Sequence, residues 1–214
     1  MNRLTYRPFY ERNLPHIQPA GATMFITFRL ADSLPATATQ SLQVASEAWA
    51  RKMQEAANPE IQATLAYEAQ RDLFVRWDRM LDTTHTGPRW LASSTIADIV
   101  AQAIHHLDGQ TYDLLAYCVM PNHVHIVFRP GCDDSEHPIP VPRILHSLKS
   151  FTAHRANRAL KREGAFWQHE SYDHWARNTQ EIRRITRYVC ANPVRAGLAE
   201  HWQEWQWTYV RDMP

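Results

Sequence analysis

The chain has 214 residues and a mass of 24.9 kDa. That length favours one domain, or one domain with an insertion, and can bury a core without disulfides or a structural metal. Hydrophobic residues at 44% and charged residues at 21% exclude global disorder. A mean hydropathy of −0.49 and a longest apolar run of only Leu114 to Met120 exclude a membrane-spanning helix. Net charge is +1, yet Val141 to Gly197 holds eleven basic residues against four acidic ones, a local +7. Such a segment is either a phosphate-binding surface or a solvated basic face, and charge alone does not choose.

Met1 to Tyr10 has Arg3 and Arg7 but no apolar core, so no secretory signal is expected. Cys118, Cys132 and Cys190 are odd in number and form no CxxC pair, which fits a reducing cytoplasm rather than a disulfide framework. Ala22 to Leu30 is β-branched and aromatic and reads as a strand. From Thr37 to Leu81, Leu42, Ala45, Trp49 and Met53, then Phe74, Trp77 and Leu81, recur at helical steps. The spacing predicts an amphipathic helix pair broken near Asn58-Pro59, its stripes serving as packing surface. Ile96 to Leu107 is a further helix, stopped near Gly109.

Tyr112 to Val119 and His123 to Arg129 read as strands joined by the turn Met120-Pro121-Asn122. Pro130 to Pro142 is a loop, Arg143 to Lys161 a helix, and Phe166 to Trp175 extended. Asn178 or Thr179 caps a helix from Gln180 to Ala191, with Pro193 expected to stop it. Trp202, Trp205 and Trp207 look like an aromatic clamp on the core. The pattern points to an α+β fold with a sheet covered on one face.

Two groups of residues carry chemistry. On a strand, His123 and His125 point to one side while Val124 and Ile126 point to the other, so the imidazoles can share a divalent cation. They could equally be two polar residues on a half-exposed strand. On the last helix, Tyr188 and Asn192 lie one turn apart on one face. Taken alone, that pair also reads as a core tyrosine and a helix-ending asparagine.

Together the two groups resemble a known family. The segment Tyr117-Cys-Val-Met-Pro-Asn-His-Val-His-Ile-Val-Phe128 resembles the HUH motif of single-tyrosine transposases of insertion-sequence type. Arg187-Tyr-Val-Cys-Ala-Asn-Pro-Val-Arg-Ala-Gly197 resembles their tyrosine helix, in the form carried by the REP-associated tyrosine transposases. Leu14 to Arg29 and Trp205-Gln-Trp207 are similar to that group too. Departures are Cys190 and Ala191, where bulkier polar residues are common, Gln206 in the tail, and the long segment 37–81.

The resemblance implies a single HUH transposase-like domain over 1–214, with a helical insertion at 37–81 after the first strand and an aromatic tail at 198–214. Its fold would be α+β, a ferredoxin-like (RRM-like) antiparallel sheet with helices packed on it. The implied activity is metal-dependent cleavage and rejoining of single-stranded DNA near a hairpin or palindromic repeat. Tyr188 would attack a phosphodiester, giving a 5′-phosphotyrosine and a free 3′-hydroxyl. Mg²⁺ or Mn²⁺ would be held by His123, His125 and Asn192, all neutral ligands that leave the cation its full charge. Arg183, Arg184, Arg187, Arg195, Lys149 and Arg155 would bind DNA in the cytoplasm, from a monomer or a homodimer.

Tyr172 also stands near the last helix, but only Tyr188 has an amide one turn on. His154, His169 and His174 read as surface or DNA-facing residues, and Trp167 and Trp175 as base-stacking or core residues. Two other readings stay open. One is a domesticated, non-transposing nucleic-acid-binding protein of the same fold. The other is an unrelated HxH metal hydrolase, which would need a further carboxylate or histidine that no motif supplies.

Overall fold

The computed structural model describes residues 9–11, 15–17, 19–83 and 86–212. Most of the segment read as lacking a secretory signal (residues 1–8), and Leu14 and Gln18 of the opening resemblance, lie outside the described residues. Two short strands, β1 (Phe9–Glu11) and β2 (Pro15–Ile17), form an antiparallel ribbon that the residue pattern did not announce.

The body is a five-stranded antiparallel sheet. Its strands are β3 (Met24–Leu30), β4 (Tyr112–Val119), β5 (His123–Pro130), β6 (Trp167–Trp175) and β7 (Thr208–Val210), in the order β6-β3-β5-β4-β7. Between β3 and β4 come α1 (Ala36–Gln54), α2 (Pro59–Thr83) and α3 (Ser94–Leu107). The helix α4 (Val141–Ala159) joins β5 to β6, and α5 (Thr179–Arg195) follows β6. Without α1 and α2, the run from β3 to β6 is β-α-β-β-α-β, the split β-α-β arrangement.

Every residue of β3 is buried, because the sheet is covered on both faces rather than one. Met24, Ile26, Phe28 and Leu30 share a core with Ile96, Val100 and Ile104 of α3 and Ile144 and Leu148 of α4. Phe25 points the other way, into a second core with Phe74, Trp77 and Leu81 of α2 and Ile185 and Val189 of α5. The stripes on α2 and α5 each need an apolar surface, and the second face of the sheet is that surface.

Asn178 caps α5 by accepting a hydrogen bond from the Glu181 N–H at 2.9 Å. Pro193 does not end this helix, contrary to expectation; α5 runs through it to Arg195. A proline removes one N–H and crowds one carbonyl, which the last turn tolerates because the neighbouring bonds remain. The stop comes at Gly197, whose φ of 67° closes the end through its N–H to Val194 O at 3.0 Å. The tail clamps as expected through two indoles. Trp205 donates to the Val119 carbonyl at 2.9 Å and Trp207 to Asp98 at 2.9 Å, seating β7 against β4.

Candidate active site

The turn Met120-Pro121-Asn122 makes His123 the first residue of β5, with the Met120 N–H bonded to His123 O at 2.8 Å. Alternation then sends His123 and His125 to the face covered by α2 and α5, where both are buried. Their Nε2 atoms lie 3.0 Å apart. Asn122 Nδ2 donates to the Leu81 carbonyl at 3.0 Å, so its Oδ1 is the atom 2.7 Å from His123 Nδ1. A carboxamide oxygen only accepts, so His123 carries its proton on Nδ1 and offers a bare Nε2 lone pair to the site. Thr27 Oγ1 sits 2.7 Å from His125 Nδ1 and can serve either tautomer of that ring.

Asp78 of α2 completes the group. It is 2% exposed, and with His123 and His125 it brings three potential ligand atoms within 4.8 Å of one another. Its Oδ1 is 3.3 Å from His125 Nε2 yet makes no hydrogen bond, while its Oδ2 accepts from the Tyr188 hydroxyl. Asn192, fully buried, donates from Nδ2 to the Tyr188 carbonyl at 3.3 Å and leaves Oδ1 without a partner. The orphaned Asp78 Oδ1 and two converging imidazole nitrogens are what a cation would satisfy. Beside the neutral ligands expected, Asp78 adds a negative charge to the group that could hold a metal, and with it a carboxylate that the sequence motifs lacked.

Electrostatics follow the burial. Burial pushes Asp78 upward, but the neighbouring His125 and His123 and the Tyr188 hydroxyl outweigh it and hold the carboxyl at about 2. Burial, then the charge on Asp78, raises Asp82 to about 6, one turn further along α2. Burial drives His123 well below the ordinary histidine value, and His125 adds to this. Burial and Asp78 raise the Tyr188 phenol, so it stays protonated near neutrality.

Tyr188 meets the histidines, its ring 5.8 Å from that of His125, and Asn192 is tied to the Tyr188 carbonyl one turn on. Tyr172 does not meet the histidines, since its hydroxyl goes to the Gln70 carbonyl at 3.3 Å and its ring packs on Phe74 at 4.5 Å. Arg195 joins the site, its guanidinium 3.9 Å from Asp78 and 4.9 Å over the Tyr188 ring.

The six cations assigned to DNA do not share a face. Arg183, Arg184 and Arg187 lie exposed on α5, on the site's side of the sheet, whereas Lys149 and Arg155 belong to α4 across it. Lys149 is bonded to the carbonyls of Gln168 at 2.6 Å and His169 at 3.0 Å, and Arg184 to Glu181 at 3.0 Å. His154 and His169 are exposed as expected, but His174 is buried between Gln70 and Glu181. Trp167 is a core residue, donating to Thr152 at 2.9 Å.

Sequence reasoning missed Asp78 and Asp82. The available signal was position: Asp78 falls four residues after Phe74 and next to Trp77, on the apolar stripe of α2, where a carboxylate has no packing role.

Residues 90–192 match the family described as Transposase IS200 like. A curated protein of Haemophilus influenzae, named as a REP-associated tyrosine transposase, is 25% identical over 111 residues, which cover 48% of this chain and 61% of that relative. The chain thus spans less than two thirds of the relative's length. A solved structure described as a REP-associated tyrosine transposase bound to a REP hairpin aligns at a TM-score of 0.49 and 16% identity, covering 96% of this chain and 92% of that one. The matched family stretch starts after α2 and ends on Asn192, so it holds His123, His125, Tyr188 and Asn192 but not Asp78. Over residues 90–192, the chain is similar to the IS200-like transposases, the resemblance that its HUH strand and tyrosine helix carry.

Proposed function

We propose that the protein is a metal-dependent single-stranded DNA endonuclease and strand transferase that acts near DNA hairpins through a 5′-phosphotyrosine. The observation that carries this reading is the contact of the Tyr188 hydroxyl with Asp78, whose carboxylate gathers with His123 and His125 at one buried point. His123, His125 and Asp78 would hold a divalent cation such as Mg²⁺ or Mn²⁺, with Asn192 Oδ1 as a further donor. Such a cation, when bound, draws charge from a non-bridging phosphate oxygen.

The protein's own groups account for the rest. A tyrosine with a raised pKa is a poor nucleophile until its proton has somewhere to go. Asp78 Oδ2 already accepts the Tyr188 hydroxyl and so orients the oxygen; a carboxylate held at about 2 is too weak a base to keep the proton, which passes to solvent. Tyr188 Oη then bonds to phosphorus as the bond from phosphorus to the 3′ oxygen breaks, and that oxygen leaves as a hydroxyl by taking a proton from solvent, which balances the one the phenol gave up. Arg195, over the Tyr188 ring, faces the charge that develops there. The reverse reaction, attack of a 3′-hydroxyl on the phosphotyrosine, rejoins strands and restores the phenol.

Single-stranded hairpins from the DNA flanking the gene, labelled at either end and incubated with Mn²⁺, test the reading on a denaturing gel. A covalent adduct through the 5′ phosphate of the downstream fragment, with a free 3′-hydroxyl on the upstream one, is the expected product. Free hydrolysed ends would mean a metal hydrolase, and binding without cleavage a nucleic-acid-binding module.

A further inference from the structure

A second cavity, of about 310 Å³, opens beside Tyr188 between α2 and α5. Phe25, Phe74, Tyr172 and Tyr188 line it, and Arg71 and Arg184 are exposed members of the lining. The aromatic rings brace one another: Phe74 meets Tyr172 at 4.5 Å, Phe25 at 5.2 Å and Tyr188 at 5.5 Å between centroids. At one end the Arg177 guanidinium lies 3.8 Å over the ring of Tyr67.

Three features narrow the occupant. The volume is at the lower limit for small-ligand sites and suits one ring system rather than a folded chain. Flat apolar surfaces favour a planar aromatic group, while exposed cations in the lining favour one attached to an anion. The charge of the carboxylate inside the cleft is offset by Arg184, 3.0 Å away, so Arg71 is the cation that would face the anion. Glu181 accepts from Tyr67 Oη at 3.0 Å, His174 Nε2 at 3.0 Å, Arg184 at 3.0 Å and the Arg177 N–H at 2.9 Å, so its oxygens are committed internally.

We propose that this cleft is a nucleobase subsite, taking one unstacked base from a nucleotide that flanks the phosphodiester attacked by Tyr188. The proposal rests on the reading of the protein as a single-strand DNA transferase and adds how it fixes the strand. Because Tyr188 lines the cleft, a base seated there ties its own phosphate to the nucleophile. A single strand is the cheapest source of such a base, since no pairing must be broken.

The test uses single-stranded oligonucleotides spanning the cleavage site, with 2-aminopurine or an abasic residue at one position at a time. Binding is measured in EDTA so that nothing is cut. One position flanking the scissile phosphate should show quenched fluorescence, and an abasic residue there should weaken binding about ten- to hundredfold. Val75, 49% exposed on the α2 side of the cleft, allows the cleft to be filled without disturbing the core. Val75→Phe should lose the quenching and become indifferent to the abasic position while keeping its thermal unfolding transition. Uniform quenching along the strand, or unchanged quenching in Val75→Phe, overturns the subsite. With Mn²⁺ added, an adduct that forms alongside such a result leaves the transferase reading standing; no binding and no adduct sinks both.

Discussion

Asp78→Asn isolates the charge at the centre of the site, because the amide keeps the shape and still accepts the Tyr188 hydroxyl. The carboxyl is held at about 2 against an ordinary value of 3.8, a gap of roughly two units, or about 2–3 kcal/mol of interaction with its surroundings. The shift is downward, so the contribution is complete above about pH 4 and is lost as pH falls through about 2. At neutral pH the variant should therefore unfold about 5–10 °C below the parent in EDTA, at about 2–4 °C per kcal/mol for a chain of this size. Mn²⁺ should raise the parent's transition and raise that of the variant far less, because the one anionic ligand is gone. Differential scanning calorimetry with and without metal reads both effects. A variant that matches or exceeds the parent in EDTA would show that Asp78 is an uncompensated buried charge. An unchanged response to Mn²⁺ would remove it from the ligand set.

His123→Ala and His125→Ala should each abolish cleavage while hairpin binding, by gel shift, stays within a few-fold; equal cleavage by either variant contradicts the metal assignment. Binding should weaken steeply with salt, and Arg183→Gln on α5 should reduce the slope of log K against log salt by about one. Arg155→Gln, on the far face of the sheet, should leave that slope unchanged, and the reverse pattern would place DNA on α4. Burial holds His174 below the ordinary histidine value despite Glu181, so its contribution is complete above about pH 6.5 and falls as pH drops. Glu181 is depressed as well, the Arg177 N–H, His174 and Tyr67 outweighing its burial, and adds a second loss below about pH 4.5. Asp82, raised to about 6, works in the opposite direction in that window, so the test is the difference: between pH 7 and pH 5 the urea midpoint of the parent should fall relative to that of His174→Gln, and parallel curves would contradict this.

Most elements were legible because local patterns and tertiary contacts agree in them. The stripe of α2 buries Phe74, Trp77 and Leu81 as its spacing nominates, whereas that of α1 buries only Leu42, and β4 begins and ends where alternation and turn residues say. The histidine pair and the tyrosine helix were legible because strand alternation and helical spacing fix which side chains share a face. What escaped depends on contacts remote in sequence. Asp78 reaches Tyr188 across 110 positions, and no local period encodes where the α1–α2 insertion docks. His174 looked like a surface residue because its partners, Gln70 and Glu181, come from two other elements. The second covered face was hidden for the same reason: an apolar stripe reveals that a helix packs, not against what.

The central claim is that Tyr188 is the nucleophile, and peptide mapping of the covalent DNA complex by mass spectrometry tests it most directly. The account predicts the nucleotide on Tyr188, no adduct in Tyr188→Phe, and an undiminished adduct in Tyr172→Phe. A nucleotide on Tyr172, or an adduct that persists in Tyr188→Phe, would contradict it.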